Sequence, residues 1–361
     1  MPAAMSRRRP VTTALKILGA LLALAGVLGA LWWAVFALKP YTLSAQQFSA
    51  LYAHADAAAP APALQLGPME AITVGGTAAW AQSLGFASFD GAWVVGRLVH
   101  PADPSEALPA RRPVLLALHG MGRTQWRWWQ DTFKGRPTME STHLLAELAL
   151  QTGHVVVALD ARGHGERKDL ERPLVARDLM RRLHLWGERE PYERMIVDTV
   201  KDYRVLLDAL ARQPLLEAGQ VRAAGYSMGA QMALLLAGVD TRVHSVAAMV
   251  PPHLGCTVAA VAPISVAARL AHTEVWLLTA DDDEYAPRRH NQALFAALPG
   301  GRKQHLRFAG GHVLPASWVQ TLQPWLQSPA PAAVASRAPV GPWPPPPGTV
   351  APSGGAGCSR P

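Results

Sequence analysis

The sequence predicts an α/β protein with a mostly parallel central sheet, helices on both faces, and a transmembrane helix at its N-terminus. From Pro113 onward, short apolar runs alternate with segments of helix length. The runs are continuously apolar, as strands are when crossover helices bury both sheet faces. Far upstream, Ile17 to Leu38 contains no charged residue and is dominated by Leu, Ala, Gly, Val and Trp. Half of the 361 residues are hydrophobic, enough for a sizeable core beyond that block.

Residues 1–16 read as a basic cytoplasmic N-terminus carrying Arg7, Arg8 and Arg9, and 17–38 as a transmembrane anchor. About twenty apolar residues rising 1.5 Å each cross a hydrocarbon layer of roughly 30 Å. Trp32 and Trp33 stand near the far end, where indoles favour the interface, and Lys39-Pro40 close the run. A cleaved signal peptide has a shorter apolar stretch, about 7–15 residues, ending in small residues. Here the end is the bulky Trp33-Ala34-Val35-Phe36-Ala37-Leu38, so an uncleaved anchor is expected. The positive N-terminus stays cytoplasmic, which places the rest across the membrane; in a bacterium that is the periplasmic side of the inner membrane.

Residues 39–68 are rich in Ala, Pro and Gln and read as a stalk with one helical piece near Leu43–His54. The folded domain spans 69–328. It opens with strands at Met69–Val74, Leu84–Phe89 and Ala92–His100, the last two joined by the hairpin signal Asp90-Gly91. Further strands are predicted at Val114–Leu118, Val155–Leu159, Val221–Ala224, Val243–Val250, Val275–Leu278 and His305–Phe308. Helices are predicted at Ser141–Gln151, Tyr192–Arg212, Ser227–Val239, Pro287–Leu298 and Pro315–Gln327. The tail, 329–361, contains Pro342-Trp343-Pro344-Pro345-Pro346-Pro347 and is predicted to be disordered.

The formal charge of +8 belongs to the ends, because 40–328 holds 27 basic and 26 acidic residues. Nucleic-acid binding, which needs a basic face on the folded body, is not expected. Two cysteines, Cys256 and Cys358, exclude a disulfide framework and a cysteine-rich zinc site. A bridge between them is disfavoured because Cys358 lies in the tail. No His/Asp/Glu cluster has metal-ligand spacing, and no G-x-G-x-x-G follows a strand, so neither a metal nor a nicotinamide cofactor is expected.

The polar motifs fall where strands end, which is where open α/β sheets place their sites. Gly225-Tyr226-Ser227-Met228-Gly229 fits G-x-S-x-G, a strand-to-helix turn that lifts a serine oxygen onto a helix N-terminus. Only glycine takes such tight backbone cheaply at 225 and 229. His119-Gly120-Met121-Gly122, Asp160-Ala161-Arg162-Gly163-His164-Gly165, Asp281-Asp282-Asp283-Glu284 and Gly311-His312 close other strands. A serine, then an acid, then a histidine is the chain order of a Ser–His–acid triad on this architecture.

On these motifs the chain from about Met69 to Gln327 resembles the α/β-hydrolase superfamily, among them small bacterial esterases, dienelactone hydrolase-like and monoacylglycerol lipase-like proteins. The resemblance implies an α/β-hydrolase fold and a serine esterase that works without a cofactor. Ser227 would be the nucleophile, His312 its base, and Asp283 the acid that orients the imidazole. Asp283 is chosen because the family's acid follows a small strand-closing residue by three positions and precedes a proline by four, as Ala280 and Pro287 allow. Asp281 and Asp282 are the alternatives, and family members usually carry glycine where Ala280 stands.

The oxyanion would be met by the backbone N–H groups of Met121 and Met228. His119, Gly120, Trp128 and His253 are candidate pocket residues, and Arg162 and His164 are read as loop braces. Substrate selection is expected from Arg123–Thr142, with its tryptophans, and from a modest cap in Glu166–Pro191 whose Leu179, Leu183 and Leu185 pack inward. The substrate is read as a small-molecule or lipid ester. The same triad also suits an acyltransferase, thioesterase or peptidase, and a non-catalytic binding protein on this fold is the remaining alternative.

Overall fold

The computed structural model describes residues 9–54, 63–102, 111–169, 176–214 and 216–329. Helix α1 (Arg9–Phe36) contains the apolar window Thr13–Phe36, none of which is buried by the rest of the chain. After α2 (Ala45–Leu51) come the strands β1 (Gln65–Leu66), β2 (Glu70–Val74), β3 (Thr77–Ala87), β4 (Trp93–His100) and β5 (Arg112–Leu118). Helix α3 (Thr142–Gln151), β6 (Val155–Leu159), α4 (Ala176–Trp186), α5 (Glu190–Leu210), β7 (Leu216–Tyr226) and α6 (Met228–Val239) follow. The chain then runs through β8 (Val243–Met249), α7 (Pro263–Val266), β9 (Glu274–Ala280), α8 (Arg288–Ala297), β10 (Lys303–Phe308) and α9 (Gln323–Gln327).

The strands form a ten-stranded sheet in the order β1-β3-β4-β6-β5-β7-β8-β9-β10, with β2 also pairing β3. Pairs from β6 through β10 are parallel, while β2, β3 and β4 add an antiparallel edge. Every residue of β6 and β8 is buried, which is why these runs lack alternation. Along β5, Val114, Leu116 and Leu118 face a core shared with α5 and α6, whereas Leu115 and Ala117 face one shared with α3 and Trp325. The sheet therefore separates two apolar layers, and its carboxyl ends carry the polar loops.

Two of the differences from the sequence reading have a clear physical cause. β3 starts at Thr77, well before Leu84, because its alanine-rich first half is held by pairing with β2 and β4 rather than by its own apolar pattern. Pro315–Gln327 is broken into short turns at Ala316–Trp318 and Gln320–Leu322 before α9. Pro324 lacks an N–H and its ring crowds the carbonyl four residues back, so no continuous helix can run through it.

The segment expected as a stalk is docked over residues 39–54. Phe48 and Tyr52 are 3% and 0% exposed, and the Tyr52 hydroxyl donates to the Ala260 carbonyl at 2.9 Å. Arg204 donates to the Tyr52 carbonyl at 2.6 Å. Composition hid this, since two aromatic anchors in an Ala/Gln-rich stretch suffice to bind it to the body. The disordered-tail reading falls outside the described residues beyond 329, and so does Cys358. The pairing of Cys256 with Cys358 therefore lies outside the described residues as well.

The loop after β5 is tied to the loop after β6 through His119. Its Nδ1 lies 2.9 Å from the Gly120 carbonyl and carries the proton, leaving Nε2 to accept the Ala161 N–H at 3.0 Å. A second proton would break that acceptor, and burial pushes this imidazole from 6.5 down to about 4 against the opposing Gly120 hydrogen bond. Burial acts likewise on His164, whose ring is 5.3 Å away, and on His154 and His244.

Two outcomes are expected. Phe48→Ala should cost about 3 kcal/mol in urea denaturation, whereas a free linker would lose nothing. Between pH 6.5 and 4 the unfolded chain binds protons that the folded histidines refuse, so stability is complete above that window and falls as the pH drops through it. The loss at the lower end is on the order of 3 kcal/mol for His119 alone. Urea midpoints measured from pH 8 to 4.5 should hold steady above 7 and then decline; a flat profile contradicts neutral buried imidazoles.

Candidate active site

Between the end of β7 and the start of α6, Ser227 sits at φ 55° and ψ −118°. Such a conformation costs a side-chain-bearing residue about 1–3 kcal/mol and persists only where its surroundings enforce it. A β-carbon on Gly225 would lie 2.1 Å from the Gly229 carbonyl oxygen, and one on Gly229 would lie 2.0 Å from that of Leu118. Both glycines are thus required by close backbone approach. The Ser227 N–H is itself held by the Met249 carbonyl at 2.8 Å.

Met228 opens α6, so its N–H belongs to the first turn, whose donors have no partner within the helix. The helix dipole adds partial positive charge at the same place. Facing it is the loop after β5, where a β-carbon on Gly120 would lie 3.6 Å from Ser227 Cβ.

His312 Nε2 lies 2.8 Å from Ser227 Oγ, and His312 Nδ1 lies 3.0 and 3.1 Å from the two carboxylate oxygens of Asp283. The Asp283 side chain is fully buried and also accepts the Tyr285 N–H at 2.9 Å. Asp281 turns outward to Arg307 and Arg288, and Asp282 is exposed. Of the three acids, only Asp283 reaches the imidazole. The arrangement allows a proton to leave the serine for Nε2 while the carboxylate balances charge at Nδ1.

Other candidates divide. His119 and Gly120 shape the loop against Ser227. Trp128 is no pocket residue: it is 0% exposed and packs in the core layer beneath α3, because its short helical turn folds the indole inward. His253 is exposed and stacks on His290 with ring centroids 3.5 Å apart. It is linked to the site by its N–H to the Tyr285 carbonyl, while the Tyr285 ring meets His312 at 4.7 Å.

Arg162 bridges Asp90 at 2.6 Å and Asp202 at 2.8 Å, and His164 keeps its Nδ1 on the Arg162 carbonyl, both serving the loop after β6. The cap helix α4 buries Leu179 and Leu183, but Leu185 is 47% exposed, in contrast to the inward packing expected of it. Among the described residues, no group of three or more His, Cys, Asp or Glu is placed to hold a metal ion.

Two residues escaped the sequence reading. The Tyr226 hydroxyl donates to the His312 carbonyl at 2.8 Å and accepts the Leu314 N–H at 2.9 Å. It thus ties the loop bearing the base to the strand bearing the serine. Glu284 accepts the His312 N–H at 3.0 Å. Only their adjacency to Ser227 and Asp283 marked them in the sequence.

No curated protein sequence matches the chain. Among solved structures, a PEG-bound cold-adapted esterase from an Arctic intertidal metagenomic library is similar over 71% of this chain and 97% of its own. Its TM-score is 0.52 at 20% identity. Acetyl xylan esterase 1 from Thermoanaerobacterium sp. gives a TM-score of 0.57 at 16% identity, over 80% of this chain and 95% of its own. Glucuronoyl esterase from Solibacter usitatus gives 0.53 at 13% identity, over 81% and 95%. At these identities the likeness is one of fold. The alpha/beta hydrolase family matches residues 114–352, more than half of the sequence, and the chain belongs to that family.

Proposed function

We propose that this chain is a membrane-anchored serine hydrolase that cleaves carboxylic esters through an acyl-enzyme on Ser227. The observation that carries the reading is the unbroken Ser227–His312–Asp283 contact, at 2.8 Å and then 3.0 Å, beside a strained helix N-terminus. Support also comes from the similar folds, which belong to proteins named as esterases. The anchor rests on α1, whose apolar window of 24 residues is left uncovered by the fold.

In the first half-reaction, Ser227 Oγ bonds to the ester carbonyl carbon as its proton passes to His312 Nε2. Asp283 stabilises the resulting imidazolium, and the Met121 and Met228 N–H groups receive the oxyanion. When the tetrahedral adduct collapses, the C–O bond to the alcohol breaks and His312 returns the proton to the departing oxygen. In the second half, water attacks the acyl carbon and gives a proton to His312, which passes it back to Ser227 as the carboxylic acid leaves.

Ser227→Ala should lower p-nitrophenyl ester turnover by at least about 10⁴-fold with the fold intact, and a fluorophosphonate should label the wild type at Ser227. Asp283→Asn should cost about 10³–10⁴-fold, whereas Asp281→Asn should stay within about threefold; retained turnover in the serine variant sinks the assignment. Tyr226→Phe removes the hydroxyl that seats the His312 loop. We expect kcat to fall about tenfold with KM nearly unchanged, as for a group whose loss loosens catalytic geometry without touching substrate. An unchanged kcat would show that the loop holds its position without that bridge.

A further inference from the structure

The membrane helix does not lead to a free leash. At its far end it grips the cap. Trp32 Nε1 donates to the Leu185 carbonyl at 2.8 Å, and the Phe36 and Trp186 rings meet edge to face at 5.3 Å. A β-carbon on Gly187 would lie 2.3 Å from the Phe36 carbonyl oxygen, so the turn after α4 rests directly on the end of α1. Just beyond, Arg189 donates to the Lys39 carbonyl at 3.1 Å and covers the Tyr41 ring at 4.8 Å. The Tyr41 hydroxyl in turn bonds Glu193 on α5.

These contacts set a depth. Twenty residues from Ile17, where the charge-free run begins, span about 30 Å, the thickness of a hydrocarbon core, and end at Phe36, one turn beyond Trp32. Trp32 therefore stands within about one helical turn of the hydrocarbon boundary, and Leu185, bonded to it, stands at the same level. Leu185 and Trp186 are 47% and 49% exposed, beside Trp33 at 68%. Together with Trp32 they make an apolar collar around the exit of α1, of the composition that settles at a headgroup layer. The inner face of α4 is buried through Leu179 and Leu183, so the helix cannot roll to hide its apolar end.

The other end of α4 lies beside the loop after β5, which faces Ser227. A β-carbon on Gly122 would lie 3.9 Å from Ala176 Cβ, placing the first residue of α4 beside the loop that carries Met121. An eleven-residue helix is about 16 Å long. The loop that faces Ser227 is thus joined by one short helix to the exit of α1.

We propose that the C-terminal end of α4, with Leu185 and Trp186, is seated in the bilayer interface, and that the site takes an ester carried by a membrane lipid, delivered along α4 from that surface. The substrate part rests on the esterase reading above; the seat of α4 rests only on α1 crossing the membrane.

The test uses the full chain reconstituted in phosphatidylcholine vesicles and one leaving group on two acyl chains. These are 4-methylumbelliferyl butyrate in solution and 4-methylumbelliferyl oleate carried in the vesicles. The double variant Leu185→Glu/Trp186→Glu should lose at least about tenfold on the oleate while keeping butyrate turnover within about twofold, because the charges expel α4 from the interface without reaching the triad. Equal loss on both, or loss on neither, overturns the proposal. Independently of turnover, a bimane on Trp186→Cys should be quenched by lipids brominated along their acyl chains, and one on Gln304→Cys, at the far sheet edge, should not. Absence of quenching at 186 overturns the seat. Wild type that cleaves the butyrate but not the oleate overturns the lipid substrate while leaving the esterase reading intact. Failure to cleave either ester, with quenching present, refutes that reading and not the seat.

Discussion

Everything at the carboxyl end of this sheet depends on how closely three backbones approach at one turn. The Gly225 α-carbon faces the Gly229 carbonyl, and Gly229 faces that of Leu118, at separations that leave no room for a methyl group. That crowding draws α6 over the end of β7 and forces Ser227 to a positive φ. The same crowding brings the loop after β5 alongside, because Leu118 is the last residue of that strand. The positions of the serine, the helix N-terminus and the loop after β5 are therefore consequences of a single packing event. A serine with relaxed φ would lower the local strain and lose this alignment.

Asp283 and His312 are brought together by a different device, an extension of strand pairing beyond the strands. Past the end of β9, the Asp281 N–H still bonds the Phe308 carbonyl and the Asp282 N–H bonds that of Gly310. The two loops leave the sheet as a joined pair. Asp281 is directed outward to two arginines, and the next turn carries Asp283 inward to the imidazole. Tyr226 then connects this pair to β7 and Ser227 through the carbonyl of His312 and the amide of Leu314. Relative positions of groups from three distant segments are thus set largely by backbone hydrogen bonds, which vary less with side-chain motion than ion pairs on long side chains do.

What the sequence revealed and what it hid follow from range. The parallel core was legible because β5, β6 and β8 are buried on both faces and read as plain apolar runs. The G-x-S-x-G turn was legible because its steric demand falls on adjacent residues. Among Asp281, Asp282 and Asp283, only the family register of Ala280 and Pro287 favoured Asp283, because what separates them physically is pairing with residues some thirty positions later. Trp128 looked like a pocket residue because nothing local tells an indole on a loop from one that α3 will cover. Tyr226 was overlooked because a tyrosine before the serine has an obvious place in the core, and its hydroxyl partners lie far downstream.

The misreading of residues 39–54 has the same origin but larger consequences. Ala- and Gln-rich chain offers little apolar area, so composition argued for a leash. Docking is nonetheless favourable, because Phe48 and Tyr52 each bury a full ring, Tyr52 satisfies its hydroxyl at Ala260, and Arg204 satisfies the Tyr52 carbonyl. A tethered domain on a true leash would sample every orientation and present its site to the membrane only a small part of the time. Here the segment after α1 is held by Tyr41, Phe48 and Tyr52, while Trp32 and Phe36 hold the cap, so rotation about the end of α1 would break both sets of contacts at once. Orientation then follows from the packing of aromatic side chains around a backbone that composition alone would leave free.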